Sequence, residues 1–484
     1  MPAEMRAYFN GDLMSNVRNR EWLLNNERIL PLFLRFSLPA ITGMMVQALY
    51  NIVDRFFVGN MPETGSLAIG GIGVTMPVLF ILLGFSMLFG IGAGANISIR
   101  MGEGRKDMAE RILGNAMVMQ VVSSIALLIV FSIDTDSVLR MFGATPENIG
   151  YARDYLHISL VGNLWNSLAF SMNNTIRSEG APKYSMISML IGAIINTILD
   201  PIFIYTFDMG VKGAAYATII AQFLSFLWGA YYYLGGRSLI KIRLKNLKPD
   251  WQVLLLIMSI GISPFFIQIA GSVVGALFNN SLRAYGGSLG QGAFAIINSM
   301  STLFFMPMFG MNQGLQPIIG YNYGAKNYDR VKKAVITGII AATGLAVIGW
   351  NIMQFYPELL VHPMAPDPEL RAMTIKGIKR VELFTFIVGI QIIASNFFSS
   401  IGKAKISFFL SLSRQVFILI PMILILPRFM GLMGIWTAVP VSDVIATTIT
   451  LIFLFREFKK LDLLHAEEKL KKEKLSETEL TEIN

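Results

Sequence analysis

Cysteine is absent from all 484 residues, which excludes disulfides, thiolate metal ligands and a thiol nucleophile. Histidine occurs only at His157, His362 and His465, too thinly spread for an imidazole zinc cluster. Charge is scarce as well. Asp, Glu, Lys and Arg together make up 15% of the chain, against ~25% in soluble domains. No GxxxxGK[ST] phosphate loop is present, so ATP hydrolysis by this chain is not expected. The run Gly90-Ile91-Gly92-Ala93-Gly94 imitates a phosphate-binding turn. It lies inside an apolar stretch with no strand before it, where glycines serve close helix approach. No nucleophile–base pair or metal constellation is visible, and an enzyme is not expected.

What the chain does contain is apolar residues, 54% of the total. They gather into about twelve runs, each near the ~20 residues that cross a bilayer as a helix. These fall at roughly 31–57, 70–97, 112–133, 151–176, 184–206, 213–234, 252–278, 291–312, 334–356, 376–398, 405–427 and 432–455. Residues 1–29 are polar and basic, so the first run is expected to act as its own insertion signal. The net charge of +9 is placed unevenly. Arg105, Lys106, Arg111, Arg177, Lys183 and the cluster from Arg237 to Lys248 fall in alternate loops on one side, as do Lys326 to Lys333. The opposite loops hold little beyond Arg140, Lys212, Arg283, Arg371 and Arg428. By the positive-inside rule both termini and the central loop are cytoplasmic, in a multi-pass membrane protein. The basic excess is then topogenic, and nucleic acid is not an expected partner.

The chain repeats itself. Phe89-Gly90-x3-Gly94-x9-Gly104-x-Lys106 returns as Phe309-Gly310-x3-Gly314-x9-Gly324-x-Lys326, and Asn174-x3-Ser178-x-Gly180-x2-Lys183 as Asn396-x3-Ser400-x-Gly402-x2-Lys405. The constant order argues for a duplicated half. The expected fold is all-α and integral to the membrane, with two six-helix bundles related by a parallel pseudo-two-fold repeat. The expected organisation is an amino-terminal segment 1–30, a first lobe 31–235, a basic linker 236–250, a second lobe 251–456 and a charged tail 457–484. That tail reads as a solvated helix or as disorder. Nothing demands more than a monomer. In a membrane chain, two related halves point to a transporter with its site between them.

Carboxylates inside apolar spans mark the candidate chemistry, because each is costly unless it has a partner or a task. Asp54 lies near the outer end of the first span and Asp200 near that of the fifth, both about 5–9 Å below the surface at 1.5 Å per residue. Thr218 falls at the same depth in the descending sixth span, and Asn196 shares a helix face with Asp200. These four can converge on a small cation with hard oxygen ligands only. Two neighbouring carboxylates also let a proton take the place of a metal ion. The structural alternative is that Asp54 pairs with Arg55 and Asp200 caps a broken helix, but adjacent helix residues point in different directions. A polar cavity beside the site is expected from Gln47, Asn51, Asn163 and Asn166, and another in the second half from Gln268, Ser272, Asn298 and Gln391. Asp443 and Arg414 fall near the midplane and are expected to pair, while Glu382 is the remaining acid of that half. Pro39, about four turns below Asp54, is the candidate hinge.

Three stretches, LYNIVDRFFVG from Leu49 to Gly59, NTIRSEGAPK from Asn174 to Lys183 and NTILDPIF from Asn196 to Phe203, resemble the multidrug and toxic compound extrusion (MATE) family, and within it the MepA-like bacterial branch. The resemblance runs from about Pro31 to Phe455. It implies two bundles facing each other in a V, alternating access, and export of organic cations and drugs driven by inward Na⁺ or H⁺. It also implies a cation site at Asp54, Asn196, Asp200 and Thr218. Some branches carry a further acid on the seventh helix, and this chain has only Gln268 and Ser272 among the polar residues there. A lipid-linked oligosaccharide flippase can share the architecture. It would call for several Arg or Lys facing the cavity, and by sequence only Arg414 lies deep in a span.

Overall fold

The computed structural model describes residues 20–61, 65–365 and 367–483. Among these there is no strand, and nearly all are helical. Six helices form the first half: α1 (Ile29–Gly59), α2 (Gly65–Gly102), α3 (Lys106–Ile133), α4 (Ile149–Ser178), α5 (Pro182–Pro201) and α6 (Gly210–Leu234). The second half begins with a 74-residue stretch, Trp251–Gly324, that is not one rod. Gly287 takes φ 60°, ψ −159°, a backbone conformation that only glycine adopts without strain. The rings of Phe278 and Phe294 stack at 4.2 Å, whereas a straight helix would hold them about 24 Å apart. The chain therefore doubles back, giving α7 before Gly287 and α8 after it. Then follow α9 (Tyr328–Phe355), α10 (Pro368–Val381 and Thr385–Ser400), α11 (Ala404–Met430) and α12 (Leu432–Ile483).

Nine of the described helices are long and apolar enough to cross a membrane, ten with the bent pair of α10. The hairpin α7–α8 counts once in that number but makes two passes. Helix α4 spans 30 residues and falls short only because asparagines and Arg177 dilute its apolar face. The chain is an all-α, multi-pass membrane protein.

Three departures from regular helix were not visible in the apolar runs. Helix α10 bends by 44° after Val381. Pro201, which has no N–H to give, is followed by a π-helical turn over Ile202–Thr206. A second π-helical turn, Ser413–Leu419, lies inside α11 and carries Arg414. Helix α1, by contrast, runs through Pro39 without interruption. Of the two forms expected for the charged tail, the helical one is found, because α12 continues to Ile483. It is held by Lys403–Glu457 and Lys332–Asp462, both at 2.5 Å, and Leu461 is fully buried beneath it.

The two halves share a core on one side of the membrane only. On the side that carries the linker, one apolar cluster includes Leu32 and Phe36 of α1, Ile97 of α2, Ile257 of α7, Ile318 of α8 and Phe397 of α10. Toward the opposite face each half has its own. Val58, Ile72, Ile204 and Val211 pack within the first half, and Phe278, Ile297, Ile423 and Trp436 within the second. Glycine makes the shared contact close. A methyl group placed on Gly261 of α7 would lie 1.7 Å from the carbonyl oxygen of Leu88, and one on Gly324 of α8 would lie 2.1 Å from that of Ile99. The helices touch backbone to backbone there, as small residues permit in lipid. The linker is pinned to the first half: Asn115 Oδ1 accepts from Asp250 N at 2.7 Å, and Arg243 pairs with Glu110 at 2.6 Å.

Candidate cation and substrate site

The oxygen ligands expected from the sequence meet where α1, α5 and α6 approach one another. One helical turn separates Asn196 from Asp200, so both project from the same face of α5. Asn196 Nδ2 donates to Asp200 Oδ1 at 3.1 Å and reaches Thr218 Oγ1 on α6 at 3.3 Å. Asp200 is fully buried, and Asp54 of α1 lies close enough for its charge to act on it. Asp200 Oδ2 and Asn196 Oδ1 accept no hydrogen bond from any described residue. Two buried oxygen atoms without donors, next to a second carboxylate, form a site with spare negative charge and spare lone pairs. Tyr50, one turn before Asp54, stands within electrostatic reach of both acids and hydrogen-bonds with Gln47. Sequence reasoning missed it, although Gln47, Tyr50 and Asp54 at i, i+3 and i+7 form one stripe.

A cavity of about 130 Å³ runs from this site toward the linker side. Gln47 and Asn166 line it as expected, together with Asn196 and Thr218. Its floor is Arg177 of α4 and Gln313 of α8, which joins the two halves. Asn163 does not line it. That side chain turns to α3 and donates to Ser124 Oγ at 3.2 Å. The side chains of Asn51 and Arg55 lie outside the described residues. Arg177 needs a correction: it is not a loop cation but the end of a stripe through Asn166, Phe170, Asn173 and Asn174, and is only 2% exposed. The helical spacing of that stripe was the signal that could have found it.

The second half is arranged differently. Arg414 Nε meets Asp443 Oδ1 at 2.6 Å, and Asp443 is 3% exposed at its side chain, as the midplane placement predicted. Glu382, buried at the break in α10, accepts from Ser301 and Thr385 and lies within electrostatic reach of both Asp443 and Arg414. Gln391 is buried, Gln268 and Ser272 are half-buried, and Asn298 is exposed. No hydrogen bond among the described residues links these four to one another. None of them lines the cavity beside the oxygen site. Among the described residues no group of three His, Cys, Asp or Glu could hold a metal ion.

Two repeated helical bundles, with a buried polar site and a cavity in the first that reaches the second at Gln313, define a membrane transporter, and comparison with known proteins gives its family. The MatE family model matches residues 39–202 and again residues 253–425, once in each half and over well more than half of the chain. The chain belongs to the MatE family; it is a transporter and not an enzyme. Among its relatives is the multidrug export protein MepA of Staphylococcus aureus (strain MSSA476), 27% identical over 427 residues, which cover 88% of this chain and 93% of that protein. The MepA of Staphylococcus haemolyticus (strain JCSC1435) is 23% identical over the same length. The fold is also that of a multidrug resistance MATE family transporter of the MOP superfamily solved in an outward-facing conformation. The TM-score is 0.85 at 23% identity, covering 91% of this chain and 98% of that one. A MATE structure in the straight conformation gives 0.86 at the same identity.

Proposed function

We propose that this chain is a secondary active multidrug exporter. It would exchange organic compounds, cationic or amphipathic, for inward-moving Na⁺ or H⁺ by alternating access. The observation that carries the reading is the oxygen site of Asp54, Asn196, Asp200 and Thr218, whose Asn196 and Thr218 line the cavity, with no lysine or arginine among the described side chains bonded to Asp200. Its relatives' role in multidrug export supports the substrate class. In this reading the linker, both termini and the tight contact between halves lie on the cytoplasmic side, so the present state is closed toward the cytoplasm. A cation arriving from outside neutralises the two acids, and loss of their repulsion favours drug release and return of the carrier. Reopening requires separating the contact around Gly261 and Gly324, with Pro39 as the hinge in α1. One chain carries both halves and the site, so the unit of transport is a monomer in its lipid.

The charge balance sets a condition. Exchange of one monovalent cation for one monocationic drug moves no net charge, so the membrane potential contributes nothing, whereas each uncompensated charge gains about 2.3 kcal/mol per 100 mV. Efflux of a fluorescent organic cation from proteoliposomes, with Na⁺ and pH gradients imposed separately, tests the proposal. Efflux that follows one gradient supports it and names the ion. A wild-type protein that moves no dye under either gradient would sink it.

A further inference from the structure

Arg177 is the single charged side chain among the described residues that line the cavity. It is 2% exposed. Its Nη1 donates to Gln313 Oε1 at 2.5 Å and its Nη2 to Asn174 Oδ1 at 2.7 Å. Both partners are neutral, and among the described residues no carboxylate lies within ion-pair distance of it. Two half-buried cations of the second half are treated differently. Arg414 meets Asp443, and Lys403 meets Glu457. A guanidinium withdrawn from water without a counter-charge is costly, and such groups inside a membrane protein mark binding or transport paths. The cavity is therefore polarised. Asn196 and Thr218 of the oxygen site line one end, Arg177 stands at the other, and Met44, Phe170, Met189 and Ala193 form apolar wall between them.

We infer that the linker-side end of the cavity is an anion subsite, in which Arg177 takes the carboxylate of a zwitterionic organic substrate whose positive group lies toward Asp54 and Asp200. A planar fork of N–H donors fits a carboxylate in two parallel bonds, which a lysine cannot reproduce. The inference rests on the exporter reading for its transport consequence but not for the binding itself. That consequence is electrical. Exchange of a net-neutral zwitterion for one inward cation moves one charge, so the membrane potential drives it by about fifty-fold per 100 mV. A monocation exchanged at the same ratio gains nothing.

The matched probes are a rhodamine with a free carboxylic acid, which is zwitterionic, and its methyl ester, which is a monocation of nearly the same shape. Binding of each to the purified full-length protein is read by fluorescence polarisation. Arg177→Gln is expected to weaken the acid about tenfold or more and to leave the ester within about twofold, since a hydrogen bond to a charged group is worth that much. Arg177→Lys should recover only part of the acid's affinity. Equal losses for acid and ester would show a merely structural arginine and overturn the inference. Should the glutamine variant fail to fold, wild-type proteoliposomes decide. Efflux of the acid that rises with an imposed potential while that of the ester does not supports the subsite, and identical potential dependence overturns it. Export of the ester without binding of the acid would remove the subsite and leave the exporter reading standing. Arg177-dependent binding of the acid without export of either dye would do the reverse.

Discussion

The two halves repeat a fold and handle buried charge in opposite ways. In the first half, Asp200 is hydrogen-bonded, among the described residues, by the neutral Asn196, with Asp54 near it and Thr218 one bond away. Arg177 sits apart, bonded to Gln313 and Asn174. In the second half the same kinds of group have found each other: Arg414 is bonded to Asp443, and Glu382 close by is held by Ser301 and Thr385. A buried acid beside a resident cation has no need of a mobile one. One without it is neutralised only by an ion or proton that comes from outside. On the function proposed above, the first half would serve coupling and the second support.

Making the first half resemble the second should have the largest effect. Thr218→Lys would supply Asp200 with a permanent ammonium, and gradient-driven efflux is expected to fall to the level of protein-free vesicles. The protein should still extract as a folded monomer in size-exclusion chromatography. Breaking the resemblance from the other side is a stability effect. Asp443→Ala would leave the half-buried Arg414 without its bonded partner, a loss of about 1–3 kcal/mol, read as a fall in thermal unfolding temperature in detergent. The double replacement Asp443→Leu with Arg414→Met should be nearly neutral by the same measure. Asn196→Ala removes the donor to Asp200 and one unoccupied acceptor of the oxygen site. It should weaken the coupling ion about tenfold, the worth of a hydrogen bond to a charged group, visible as a shift in the ion concentration that gives half-maximal efflux.

The smallest expected effect concerns the membrane surface. Glu179, just past the end of α4, is fully buried against the linker and accepts from Ser238 Oγ at 2.6 Å and Leu239 N at 2.8 Å. Burial pushes its carboxyl up from 4.5 to about 7. A carboxyl raised in the folded state holds its proton there while the undocked form has already lost it. Its contribution is complete below about pH 4.5 and is lost as pH rises through about 7. Hydrogen-exchange protection of the linker, corrected for the intrinsic pH dependence of exchange, should fall over that window in wild type and stay flat in Glu179→Gln.

Much of this molecule was legible in its residues, for reasons that differ from feature to feature. Bilayer thickness fixes the length of an apolar run, so the spans from 31–57 to 432–455 match the helices observed, apart from the end at Tyr356 and the break after Val381. Helical spacing alone joined Asn196 to Asp200, and depth joined them to Asp54 and Thr218. The bend at Glu382 was hidden because its reason is tertiary: Ser301, on α8, supplies a hydrogen bond to the carboxylate at the break. Arg177 was misread because a cation at a helix end reaches water in most proteins. Only the packing of α8 against α4 takes that choice away. Asn163 was placed with Asn166 by spacing, yet Ser124 of α3 claims it. The hairpin at Gly287 was legible, because the two apolar runs flank a polar, glycine-rich stretch with Asn279, Asn280, Arg283, Gly286 and Gly287.

The most direct test sets the halves against each other in one assay. Ion-driven dye efflux from proteoliposomes would be compared for wild type, Asp54→Asn, Asp200→Asn and the double variant Asp443→Asn with Arg414→Gln. Loss of gradient dependence in both variants of the first half, with efflux retained in the double variant, is the result expected here. Gradient-dependent efflux that survives Asp54→Asn and Asp200→Asn but vanishes in the double variant would contradict the account and move coupling to the second half.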